Sequence, residues 1–224
     1  MSEMRQEIGK TENRKTNGYI AIIGIYSLFV VFSLVIFGTF FAEYAVVFEQ
    51  QAYLFLTIGS LLIISVFFVR PVRVRMVVLI NVRQAIKPKN ILISSILFLL
   101  LAFAFETLIL IDPFANLMTK SAIKYNFTTY YPLIWILAST TIGPIWEEVF
   151  FRGMLIRGLS EKFPTWVGVL LSGVGFVLLH PIFPLLAIVY TIFYTFIFLY
   201  TRSLLLVIAI HICWNVFQVI YNFI

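Results

Sequence analysis

Charge is what this chain has least of. Aspartate, glutamate, lysine and arginine make up 12% of its 224 residues, about half the share found in soluble domains. A water-facing surface cannot be covered from that supply, so a soluble globular protein is excluded. Cysteine is nearly absent too. Cys213 stands alone, which rules out a disulfide within the chain and leaves the redox compartment open. There is no internal repeat, no low-complexity tract and no H-E-x-x-H, the helical zinc-protease motif. The apolar run that follows the polar tail is too long for a cleaved leader and lacks a small-x-small cleavage site, so a retained signal anchor is expected.

What the chain has instead is long hydrophobic stretches, with 62% apolar residues and a mean hydropathy of +1.02. About 20 apolar residues cross the hydrocarbon core as a helix. Seven spans are expected: about Tyr19–Phe41, Ala52–Val69, Ile91–Ile111, Tyr131–Phe151 with a helical extension, Trp166–Leu179, Leu185–Tyr200 and Leu204–Tyr221. The fifth and sixth, joined by Pro181-Ile182-Phe183-Pro184, are short enough to be helices that stop within the membrane. The expected fold is an all-α polytopic transmembrane bundle. It divides into a cytosolic N-terminal tail (1–18), N-terminal transmembrane helices (19–130) and motif-bearing transmembrane helices (131–224).

Lysine and arginine set orientation. Fourteen of the sixteen fall in the tail and in the loops on the same side of the membrane, including Arg70 to Lys89, Arg152 to Lys162, and Arg202. Lys120 and Lys124 fall on the other side. The expectation is a multi-pass cell-membrane protein with its N-terminus in the cytosol. The net charge of +6 reports this topology and contact with anionic headgroups, not nucleic-acid binding.

Against this background a few polar residues stand out. Glu147, Glu148 and Arg152 lie in IWEEVFFRG, His180 in FVLLHP, and His211 and Asn215 in HICWN. An ionisable side chain at membrane depth costs roughly 2.5 kcal/mol or more. The two histidines of the chain both occur here. Each element has a bland reading alone: interfacial glutamates reaching for water, and histidines satisfied by a nearby carbonyl.

Local geometry sharpens the picture. Pro144 removes a backbone donor and clashes with the carbonyl four residues back, so the helix should kink near Thr140. Glu148 and Arg152 are spaced i, i+4 with the acid first, the favourable order for a helical ion pair. Glu147 lies about 100° around the helix with no cation at that spacing, which makes it the better general base. Phe176 and His180 share a face, as do His211 and Asn215. The last pair suits an oxyanion hole. With Glu147 and His180 added, His211 would equally suit a metal ion such as Zn²⁺. Cys213 points about 200° away from His211 and is a packing residue. On a straight-helix reading His180 sits deeper than Glu147, so these residues meet only if helices are short, broken or displaced; Gly168, Gly173 and Gly175 would allow close packing.

Taken together, EE-x-x-x-R, F-x-x-x-H and H-x-x-x-N in successive apolar segments resemble the CAAX-processing and bacteriocin-processing intramembrane endopeptidases, also called the abortive-infection-like family. The resemblance covers about Pro132 to Phe223, and every motif residue is present. It implies a helical bundle with an intramembrane catalytic cavity. It also implies that Glu147 activates water with help from His180, that His211 and Asn215 stabilise the oxyanion, and that the Glu148–Arg152 pair holds the site together beside Phe176. Metal-free chemistry is the expectation; Zn²⁺ held by Glu147, His180 and His211 is the alternative. The implied substrates are membrane-associated or lipidated proteins or peptide precursors, with bacteriocins or leader peptides fitting a short, bacterial-looking chain. Two other functions compete: a non-catalytic self-immunity or scaffold protein of the same fold, and a proton-coupled transporter. The absence of an inverted repeat weighs against the transporter.

Overall fold

The computed structural model describes residues 17–28, 30–31, 57, 59–61, 63–64, 68–111, 136–180 and 184–223. The described residues form helices and connecting turns, with no strands among them. The span expected at Ala52–Val69, the two opposite-side lysines and the Pro181-Ile182-Phe183 linker lie largely or wholly outside the described residues.

In chain order the elements are α1 (Asn17–Leu28), α2 (Arg70–Leu79), α3 (Val82–Ala85) and α4 (Pro88–Ile111). A composite helix follows, in which α5 (Gly143–Glu148) is flanked by two π-helical segments, Ala138–Ile142 and Val149–Gly158. The chain ends with α6 (Thr165–Leu178), α7 (Pro184–Thr201) and α8 (Leu204–Phe223). Among the described residues three stretches are long and apolar enough to cross a membrane: Pro88–Leu108, Pro184–Thr201 and Leu204–Tyr221. α1 and α6 are apolar but shorter. At 1.5 Å per residue, the 14 residues of α6 reach about 21 Å, short of the roughly 30 Å hydrocarbon core.

Among the three long apolar spans of the described residues, α7 is the most buried. Its span is 56% buried inside the protein, against 28% for that of α8 and 17% for that of α4. Its buried residues Ala187, Tyr190, Thr191, Tyr194, Phe198 and Thr201 recur every three to four positions, the helical period. α4 shows the converse. Ile96, Leu99, Leu100 and Phe103 are exposed while Leu101 and Phe105 are buried. In a bilayer such an apolar outer face meets lipid tails and needs no protein cover.

The turn from α7 to α8 is tight. Arg202 takes a left-handed conformation with φ 53°, the geometry that ends a helix. Thr201 Oγ1 accepts from the Ser203 N–H, and Ser203 Oγ caps α8 by accepting from the Leu206 N–H. Ser203 Oγ also donates to the Asn81 carbonyl at 3.0 Å. The same end of the bundle holds Arg75 against Glu161 at 2.8 Å, Lys162 against Asn17 at 3.1 Å, and Lys89 over the Tyr200 ring. Segments that charge bias alone assigns to one side of the membrane thus touch one another at one end.

One basic residue leaves that group. Arg152, expected in a loop, is fully buried in the middle of the bundle. The composite helix runs on to Gly158, well past Phe151. Glu147 and Glu148 are therefore mid-helix, not near its end. This removes the depth mismatch between Glu147 and His180. Glu147 lies 13 residues above Ser160 on one arm of a hairpin, and His180 lies 15 residues above Thr165 on the other, with Ser160 Oγ donating to Thr165 Oγ1 across the turn.

Glycine lets those arms close. A Cβ at Gly168 would stand 2.8 Å from the Leu155 carbonyl oxygen and 2.9 Å from the Ile156 Cα, backbone atoms that cannot swing aside. One at Gly175 would meet the Phe151 ring at 3.1 Å. Gly173 is different: a Cβ there would make only an ordinary contact with Thr191, so close packing does not require glycine at that position.

Candidate active site

Pro144 shapes the wall of the site. It has no N–H to donate, and the chain absorbs this by widening into the π segment Ala138–Ile142, at the place where a kink is expected from the sequence. The Gly143 N–H bonds to the Ala138 carbonyl, five residues back. Neither Gly143 in α-helical register nor Pro144 in π register serves the Ser139 carbonyl. Asn215 reaches it from α8, its Nδ2 donating at 2.7 Å. One of the two amide hydrogens of Asn215 is thereby spent on holding α8 against the composite helix, leaving the other for a ligand.

The next turn places the acidic pair. Glu148 and Arg152 are both fully buried and form the i, i+4 pair that their spacing predicts, with Arg152 Nη1 donating to Glu148 Oε1 at 3.1 Å. Arg152 Nη2 lies 3.4 Å from both the carbonyl and the hydroxyl of Thr191 on α7. Its guanidinium carbon stands 5.0 Å from the centre of the Phe176 ring and 5.5 Å from that of Tyr194, within reach of a cation–π attraction.

Glu148 also binds His211. Its Oε1 accepts from His211 Nδ1 at 2.8 Å. That bond puts the proton on Nδ1 and turns Nε2 towards Glu147, whose Oε2 is 3.9 Å away. Glu147 and His211 are 6% and 4% exposed, so this approach takes place largely out of water. The Tyr194 ring stacks on His211 with centroids 4.3 Å apart and planes 22° from parallel.

His180 enters from the end of α6. Its Nδ1–H donates to the Phe176 carbonyl at 2.8 Å, and its ring stacks on Phe176 at 4.4 Å. Phe176 in turn lies 6.4 Å from His211. His180 and Asn215 are half-buried, whereas the Glu148–Arg152 pair is sealed.

All seven residues singled out in the sequence converge here: Glu147, Glu148, Arg152, Phe176, His180, His211 and Asn215. Three more were not legible there. Ser139 is exposed as a partner only by the π register. Thr191 and Tyr194 lie on α7, which carries none of the motif residues. Their one signal was a pair of polar groups three apart in an apolar span. As a metal site the convergence falls short. Among the described residues no group of three His, Cys, Asp or Glu side chains gathers closely enough to hold a metal ion. Glu147, His180 and His211 form no such group in this arrangement.

A family model for the type II CAAX prenyl endopeptidases, described as Rce1-like, matches residues 128–217. The motif-bearing segment is similar to that family. The match begins before the first π segment and ends two residues beyond Asn215, so the Rce1-like segment contains every residue of the site. With its apolar helices, this makes the chain a membrane protein. No curated protein and no solved structure matches the chain.

Proposed function

We propose that this protein is an intramembrane endopeptidase that hydrolyses a peptide bond of a membrane-associated or lipidated protein or peptide precursor. The observation that carries the reading is the approach of Glu147 Oε2 to His211 Nε2 at 3.9 Å, backed by Glu148 and Arg152. With Nδ1–H engaged by Glu148, both facing atoms are acceptors. A water that donates one hydrogen to each suits that spacing.

In this mechanism Glu147 takes a proton from the water as its oxygen attacks the scissile carbonyl. His180, whose Nε2 is the proton-accepting nitrogen when Nδ1–H is on Phe176, assists. The carbonyl π pair moves to oxygen. Glu147 passes the proton on to His211 Nε2, and the imidazolium so formed meets the oxyanion together with the second hydrogen of Asn215 Nδ2. The same proton returns through Glu147 to the leaving nitrogen as the carbon–nitrogen bond breaks, leaving His211 neutral again. Glu148 is in this scheme more than half of an ion pair, because it also aims His211. The reading uses no metal. The N-terminus and the basic end of the bundle face the cytosol, and the half-buried rim at His180 and Asn215 receives the substrate.

The deciding experiment compares the membrane and secreted peptides of cells carrying wild type or Glu147→Gln, followed by cleavage of a defined substrate by each purified protein. Cleavage should vanish in Glu147→Gln while membrane insertion stays normal, and wild type should remain active after chelation. Turnover near wild type in Glu147→Gln would remove the general-base assignment. Activity lost on chelation and restored by Zn²⁺ would remove the metal-free one and leave the peptidase reading standing.

A further inference from the structure

We infer that Tyr194 is a positioning residue that sets the plane of the His211 ring, an inference that rests on the endopeptidase reading for its kinetic part alone. The hydrogen bond from His211 Nδ1 to Glu148 Oε1 fixes one atom and one direction. It does not fix rotation of the imidazole about that direction, and Nε2 can swing off Glu147 while the bond survives. A flat partner removes that freedom. Tyr194 supplies it, its ring lying 4.3 Å from His211 and 22° from parallel. On another side Phe176 stands 6.4 Å away, tilted by 50°.

The placement of Tyr194 suits the task. It lies on α7, the most buried of the long spans, and is itself fully buried. Thr191, three residues before it on the same face, meets the Arg152 guanidinium. Tyr194 also lies beside that guanidinium, 5.5 Å from its carbon. One short stretch of a helix that carries no motif residue thus braces both the cation that holds Glu148 and the imidazole that Glu148 aims. Among the described residues the Tyr194 hydroxyl has no hydrogen-bond partner, so the ring face, not the oxygen, makes the contact that matters.

The chain has only two histidines, which makes the test direct. Full-length protein labelled with ¹⁵N-histidine gives two imidazole signal sets, and His211→Gln identifies which belongs to His211. In Tyr194→Phe the nitrogen shifts of His211 should match wild type. In Tyr194→Leu they should move towards the average of the two tautomers, while those of His180 stay put. On a defined substrate, Tyr194→Leu should lower kcat roughly tenfold to hundredfold with KM unchanged, the loss expected when a reacting group is slightly misplaced. Tyr194→Phe should retain wild-type kcat. If the Leu variant does not accumulate, Tyr194→Met removes the flat face with less loss of volume and carries the same expectations. Unchanged His211 shifts in the aliphatic variant would overturn the inference, as would equal losses in the Phe and aliphatic variants. If Glu147→Gln still cleaves, the peptidase reading fails, and the nitrogen spectra still decide the role of Tyr194.

Discussion

Among the described residues, two arginine–glutamate pairs occupy contrasting environments. Arg75 and Glu161 meet at the basic end of the bundle with both side chains 24% exposed. Their geometry is the better of the two: Nε and Nη2 each donate at 2.8 Å to separate carboxylate oxygens. Arg75 also stacks over Tyr19 at 4.0 Å, and hydrogen bonding to Glu161 pushes its pKa further up from an already high value. Arg152 and Glu148 are fully buried and share a single, longer contact of 3.1 Å. Among the described residues, Glu148 Oε2 and Arg152 Nε have no hydrogen-bond partner. Fold stability alone does not explain why a chain keeps the poorer pair in the more costly place. What the buried pair has, and the surface pair lacks, is a third partner. The oxygen that meets Arg152 also holds His211. The surface pair ties α2 to the turn before α6; the buried pair aims an imidazole.

That contrast sets the order of expected effects. Removing one partner of the buried pair, as in Glu148→Ala or Arg152→Ala, should cost about 3–5 kcal/mol, read as reduced denaturant resistance in detergent together with lost cleavage. The double variant should lose less than the two single losses combined. Strictly additive losses would mean that the residues do not act as a pair. His211→Ala comes next. Taking away a donor to the oxyanion should reduce kcat by roughly 10²–10³-fold while membrane abundance holds. A fall in abundance with kcat per molecule intact would make His211 a structural residue and erase the distinction between the pairs.

Gly168→Ala should destabilise by about 1–3 kcal/mol, the usual cost of overpacking, because its Cβ would press on the Leu155 and Ile156 backbone. Gly173→Ala is its control and should be close to neutral in the same unfolding assay. Equal effects would show that the hairpin does not depend on contact at Gly168. The smallest effect belongs to the surface pair. Arg75→Ala or Glu161→Ala should cost about 0.2–1 kcal/mol, shrinking as salt is added. A salt-independent loss as large as that of Arg152→Ala would dissolve the comparison.

Much of this protein could be read from the order of its residues. Hydropathy gave the helical membrane class, and three of the expected spans agree closely with Pro88–Leu108, Pro184–Thr201 and Leu204–Tyr221. Helical spacing was enough for the Glu148–Arg152 pair and for Phe176 under His180, because contacts at i, i+4 depend on one helix only. Pro144 marked the place of the π segment, although a kink was the form expected there. Depth was not legible: the polar Arg152 looks like the end of a span, whereas burial against Thr191, Phe176 and Tyr194 lets the helix continue to Gly158. Nor was the link between Glu148 and His211, 63 residues apart, nor the bracing by Tyr194. Sequence determined which side chains could share a face of one helix. Only the packing of α6, α7 and α8 on the composite helix decided which faces meet, because no local period carries the distance between two helices.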